Sequence, residues 1–162
     1  MEGILFTTVP LTAADALTHL TWYSRRWLIE EYHKCLKTGC RMEERQLTTA
    51  EGRTALLGFL AIVAVRLLQL RTRARQQPTA NSQQPTARAL DHVPTEMVTV
   101  VATRLNLPPS TLTIRAFWQG VARFGGFIGR ARDGDPGWQT LWRGWQRVQD
   151  ICWGMTLATQ RP

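Results

Sequence analysis

Between Trp22 and Gly39 the sequence WYSRRWLIEEYHKCLKTG sorts its apolar and polar positions onto different flanks of a helix. At about 100° of rotation per residue, Leu28, Tyr32, Cys35 and Leu36, with Ile29 beside them, make an apolar flank. Tyr23, Arg26, Glu30 and Lys37 fall within an arc of roughly 60° and form one polar stripe. The pattern predicts one helix that lies against a core, turns its stripe outward and stops at a left-handed cap at Thr38-Gly39.

Before this helix, Ile4 to Val9 (ILFTTV) is β-rich and ends at Pro10, as a buried strand would. A strand needs a neighbour for its backbone hydrogen bonds, so the run suggests the end of a sheet. Thr12 to Leu20 reads as a helix with Thr12 as its cap and Asp15 in its first turn. After Gly39 and the charged connection RMEERQ, Thr48-x-x-Glu51 has the form of a capping box. The helix it opens, Glu51 to Arg71, is apolar nearly all round from Leu56 to Leu68, which predicts burial against a sheet, with Gly58 allowing close approach.

Arg71, Arg73 and Arg75 then lead into QQPTANSQQPTA, a low-complexity linker with a duplicated pentapeptide. Thr95 to about Leu107 is a further helix, although VTVV at 98–101 also suits a strand. Ser110 is placed to cap a helix over Thr111 to Phe124, ended by Gly125-Gly126, and Gly129 to Gly137 is a loop. Asp135-Pro136 has the form of the N-cap and first residue of a last helix. In that helix Trp138, Trp145 and Cys152 recur at heptad spacing, as do Leu141, Val148 and Met155, with Trp142 beside the seam. The seam suits either a core between two helices or an interface with a second subunit.

The formal net charge of +8 comes almost entirely from arginine, whose forked donors match phosphate oxygens. Nucleic acid is therefore the leading partner. Three scattered cysteines exclude a disulfide framework and fit a reducing cytoplasm. His33, Cys35 and Cys40 lack a fourth ligand and any Cys-x2-Cys spacing, so they read as packing residues and not as a zinc site. No basic start and apolar run marks a signal peptide. The apolar segment Ala55 to Val65, closed by Arg66, falls short of the roughly 20 residues of a membrane span, so a soluble protein with no membrane partner is expected.

A carboxylate among a phenol, a guanidinium and an ammonium is what a phosphodiester and a divalent metal require together: the acid for the metal, the donors for phosphate. The same spacing also contains two i,i+4 ion pairs, Arg26 with Glu30 and Glu30 with Lys34, and a plain ion-pair ladder would account for Glu30 alone. Tyr-x2-Arg-x3-Glu-x6-Lys resembles the signature of the bacterial insertion-sequence transposases of the DDE type called the YREK group, and YSRRWLIEEYHKCLKTG follows it closely. FLAIVAVRLLQLR is similar to the corresponding family segment, and FGGF followed by WQTLWRGW resembles the group's C-terminal dimerisation module.

The resemblance implies a mainly α chain: the C-terminal fragment of a ribonuclease H-like α/β catalytic domain, one strand plus helices, followed by an all-α dimerisation module. Residues 1–75 would be the catalytic part, 76–94 a linker and 95–162 the dimerisation domain. The family excises and inserts elements by metal-dependent strand cleavage and transfer, with two aspartates and one glutamate holding two divalent ions, usually Mg2+. Glu30 matches the catalytic, metal-binding glutamate. Tyr23, Arg26 and Lys37 match residues that grip DNA phosphates, and Trp138, Leu141, Trp142, Trp145 and Val148 fall where the dimer interface is expected.

The departure is that the two aspartates belong on strands preceding ILFTTV, where only Met1, Glu2 and Gly3 stand. Asp15, Asp91, Asp133, Asp135 and Asp150 lie in predicted helix starts, linker, loop or late helix and do not replace them. Two-metal chemistry needs several carboxylates, so the chain is expected to be inactive alone and not to bind Mg2+ tightly. Its expected partners are transposon-end DNA and, as a dimer, itself or a full-length transposase. Two other functions fit the same residues: a dimerising inhibitor of a full-length transposase, or a basic helical nucleic-acid-binding module.

Overall fold

The computed structural model describes residue 8 and residues 12–75, 87–130 and 132–160. It is mainly α, with no strand among the described residues; one isolated antiparallel bridge joins Arg88 to Thr113. The expected strand at Ile4 to Val9 lies outside the described residues, apart from Thr8 in a bend. The other β-rich run, 98–101, is helical, because Val98, Val100 and Val101 all turn into a core.

Two compact units divide the chain between Glu31 and Tyr32. In the first, helix α1 (Ala13–Ser24) begins at the expected residue. Thr12 accepts a hydrogen bond from the Asp15 amide while the Asp15 carboxylate accepts one from the Thr12 amide, a capping box. The hydrogen bond from Thr12 holds the Asp15 carboxyl below its ordinary value. Helix α1 buries no described side chain: Leu17, Leu20, Trp22 and Tyr23 are all exposed.

Helix α2 (Trp27–Lys34) follows a turn at Arg25 and Arg26, and its end passes into the second unit. One uninterrupted helix from Trp22 to Gly39 is therefore not what forms. At the far end, Cys35–Gly39 is a π turn, closed by the Cys40 amide donating to the Cys35 carbonyl at 2.8 Å. Gly39 is buried and not left-handed; a Cβ there would lie 3.2 Å from Trp138 Cβ. Close packing of the turn on the last helix explains the glycine, and the cap expected from Thr38-Gly39 is absent.

The second unit is organised by three helices, α3 (Ala50–Arg75), α5 (Ile114–Phe124) and α6 (Trp138–Thr159), with α4 (Thr95–Leu105) packed on the last two. Helix α5 places Ile114, Phe117, Trp118, Val121 and Ala122 in the core, the i, i+3, i+4, i+7, i+8 stripe of a helix that buries one face. Its contact with α6 is glycine against backbone. A Cβ on Gly125 would sit 1.8 Å from the Thr140 carbonyl oxygen, and one on Gly144 would sit 1.9 Å from that of Val121. No larger residue fits while the helices keep this separation. Gly120 faces side chains of α4, where a Cβ would meet Val101 Cγ1 at 2.4 Å.

Helix α3 runs four residues beyond the expected end. It is capped by Thr49, whose hydroxyl accepts from the Gly52 amide at 3.1 Å, and not by Thr48. It buries Leu60, Ala64, Leu67, Leu70 and Ala74 along one stripe, while Leu57, Phe59, Ile62 and Val65 are exposed. Burial all round is thus corrected to burial of one face. By length and composition this is the one described helix capable of crossing a membrane, a test that the core helix of a soluble protein also passes.

Two other helix starts differ from expectation. Helix α5 begins at Ile114 with Thr113 as its cap, because Pro109–Thr111 closes into a separate 3₁₀ turn that absorbs Ser110. Helix α6 begins at Trp138 with Gly137 at the cap position, because the Asp135 carboxylate faces Arg75 at 2.9 Å. Trp138, Leu141, Trp142, Trp145 and Val148 are all buried in this chain's own core. In this fold they fill the space between helices. One cluster of buried side chains draws on α3, α4, α5 and α6 alike.

Candidate nucleic-acid interface

Tyr23 stands in the last turn of α1, Arg26 in the turn that follows and Glu30 in the first turn of α2. Backbone bonds set this corner. The Arg26 amide donates to the Tyr23 carbonyl at 2.9 Å, and the Ile29 amide donates to the Arg26 carbonyl at 3.1 Å. The Arg26 guanidinium lies 5.8 Å from the centre of the Tyr23 ring and donates from Nη1 to Glu30 Oε1 at 2.6 Å. Hydrogen bonding to Glu30 raises the already high pKa of Arg26. Both partners of the pair are more than half exposed, so the bond orients two side chains in water and adds little stability.

The structure thus brings Tyr23, Arg26 and Glu30 together. Lys37 belongs to the other compact unit, within the π turn, and its ammonium pairs with Glu43 Oε1 at 3.1 Å. The roughly 60° arc assumed uninterrupted α-helical rotation, which the turn at Arg25 and Arg26 and the π turn both break. Glu43 went unnoticed in sequence because RMEERQ reads as a solvated connection, although an acid six residues after Lys37 was visible there.

Metal chemistry asks more than Glu30 offers. Among the described residues no group of three or more His, Cys, Asp or Glu side chains is placed to hold an ion. A divalent pair takes several oxygen ligands, and one exposed carboxylate already hydrogen-bonded to a guanidinium does not fit it by itself. Cys35 and Cys40 are buried as packing residues, whereas His33 is exposed and does not pack as expected. A hydrogen bond from Cys35 lowers the Cys40 thiol's pKa, working against burial.

The arginines at the end of α3 face the protein. Arg71 stacks on the Trp138 ring at 4.4 Å, Arg73 lies 3.0 Å from His92 Nδ1, and Arg75 pairs with Asp135. Arg66 donates to the His92 carbonyl. These contacts fasten α3 to the start of α6 and to the segments around His92 and Asp135.

Residues 5–66 match the family model of the transposase DDE domain. The match supports a DDE-type transposase. It contains all four of Tyr23, Arg26, Glu30 and Lys37, and it ends within α3.

Proposed function

We propose that the chain is the glutamate-bearing, C-terminal part of a cut-and-paste DNA transposase of the YREK group, in which Glu30 is one metal-binding carboxylate and Tyr23, Arg26 and Lys37 hold DNA phosphates. The observation that carries this reading is the Tyr23–Arg26–Glu30 corner inside the matched segment 5–66. An arginine at an exposed turn is free to exchange a carboxylate for a phosphate, since each offers a pair of oxygens to its forked donors.

On this reading the first part of the chain derives from a ribonuclease H-like catalytic domain, residues 76–94 link it to the second part, and 95–162 is the helical C-terminal module. Strand cleavage needs two further carboxylates from outside the described residues. No cleavage is expected where Glu30 stands alone, since one carboxylate does not hold two divalent ions.

The phosphate grip is tested by the salt dependence of duplex binding. Arg26→Gln and Lys37→Gln are each expected to weaken binding across sequences and to reduce the slope of log K against log salt by about 0.9. Glu30→Gln, which removes a negative charge, is expected not to weaken metal-free binding. Slopes unchanged by both cation substitutions would leave a basic helical module that binds elsewhere on the chain.

A further inference from the structure

A groove of about 430 Å³ between α3 and α6 has a composition that the transposase reading does not use. Its lining includes Leu60 and Trp142, both buried, and Phe59, which has 62% of its surface exposed. Arg45, Arg143 and Arg147 line the same space against one carboxylate, Asp150. All of these residues belong to the second compact unit.

The cations are available. Arg45 and Arg143 have no carboxylate within 4.0 Å among the described residues, and Arg147 donates from Nη1 to the Phe124 carbonyl at 2.6 Å, which orients its head without neutralising it. Phe59 and the three arginines line one groove, a combination that can offer a ring face to a base and forked donors to a phosphate.

We infer that this groove is a binding site for single-stranded nucleic acid, with Phe59 as the stacking surface for a base and Arg45, Arg143 and Arg147 as phosphate contacts. Its volume is in the range of small-ligand pockets, which admits one or two unpaired nucleotides. A duplex, with its bases already stacked on one another, has no face to offer Phe59. A purely acidic peptide would satisfy the arginines and leave the ring without a partner.

The test is fluorescence anisotropy on the whole chain with labelled oligothymidylate of about 15 nucleotides, a duplex of equal length and oligoglutamate. Phe59→Ala is expected to raise the Kd for the single strand roughly five- to hundredfold, as for loss of one base-stacking contact, and to leave the duplex nearly unaffected. Phe59→Tyr keeps a ring and is expected to keep the affinity. Arg45→Gln with Arg143→Gln is expected to reduce the single-strand salt slope by about 1.4.

The corner at Tyr23, Arg26 and Glu30 is read with duplex, so duplex affinity retained in Phe59→Ala separates this site from that corner. Equal losses for single strand and duplex in Phe59→Ala, a lower melting temperature with unchanged binding, or loss in Phe59→Tyr as large as in Phe59→Ala would each overturn the stacking role. Oligoglutamate binding as tight as oligothymidylate would overturn the site's preference for nucleic acid in favour of an acidic protein.

Discussion

The corner at Tyr23, Arg26 and Glu30 and the contact of α5 with α6 are opposite ways of using a sequence. The corner buries nothing: its side chains are held by one hydrogen bond, one ring contact and the turn beneath them. The α5–α6 contact has no charged pair at its centre and is held by fit, with glycines where backbones nearly touch and Phe117, Leu141 and Val148 wholly buried nearby. Residues that must exchange partners stay in water, where leaving an ion pair costs little. Residues that must stay put are packed, where removing a few methylene groups costs several kcal/mol.

That contrast can be broken most forcefully from the packed side. Phe117→Ala empties a fully buried site and is expected to lower the stability of the second unit by about 3–5 kcal/mol, read as the shift of the denaturant midpoint. Gly144→Ala is expected to cost about 3 kcal/mol, the upper range for overpacking, because the added carbon meets the Val121 carbonyl and not a flexible side-chain end. A cost near zero would mean that the α5–α6 separation adjusts freely. Thr113→Ala removes the hydroxyl that accepts from the Ala116 amide and is expected to cost about 1 kcal/mol.

The exposed side sharpens the comparison with a smaller effect. Asp15 has its pKa lowered by its hydrogen bond with Thr12, so the folded state favours the ionised form. Its contribution to α1 is present above the ordinary carboxyl value of 3.8 and is lost as pH falls through the lower folded value. Amide exchange in α1 is expected to accelerate in that acid range, and Asp15→Asn should abolish the acceleration.

Helix existence was legible in the sequence, since periodic burial on α5 and α6 needs no knowledge of the partner. Helix starts were less so. Runs such as Thr48-Thr49 and Ser110 to Thr113 offer several caps with nearly the same local chemistry, and the α6 start depended on Arg75 drawing away Asp135, a pairing across 60 positions. The π turn had no local marker, because Gly39 is there for Trp138 and not for its own backbone angles. For the candidate site, the residue types and the Arg26–Glu30 spacing were readable. The break at Arg25 and Arg26 and the Lys37–Glu43 pair were not, because helical-wheel geometry assumes an unbroken helix.

The aromatic seam of α6 carries a related lesson. Trp138, Leu141, Trp142, Trp145 and Val148 were compatible with either an inner core or an interface, and heptad spacing serves both. Within this chain they are buried on the helix that α5, the π turn and α4 pack against. The exposed residues Trp153, Met155 and Leu157 lie further along the same helix.

The proposal that Glu30 is a metal-binding carboxylate is met most directly by adding Mn2+ to the isotopically labelled chain and mapping which amide resonances broaden. Glu30 predicts weak binding, with broadening centred on residues 26–34 and removed by Glu30→Gln. Broadening centred on Asp133 and Asp135, or persisting unchanged in Glu30→Gln, would contradict it.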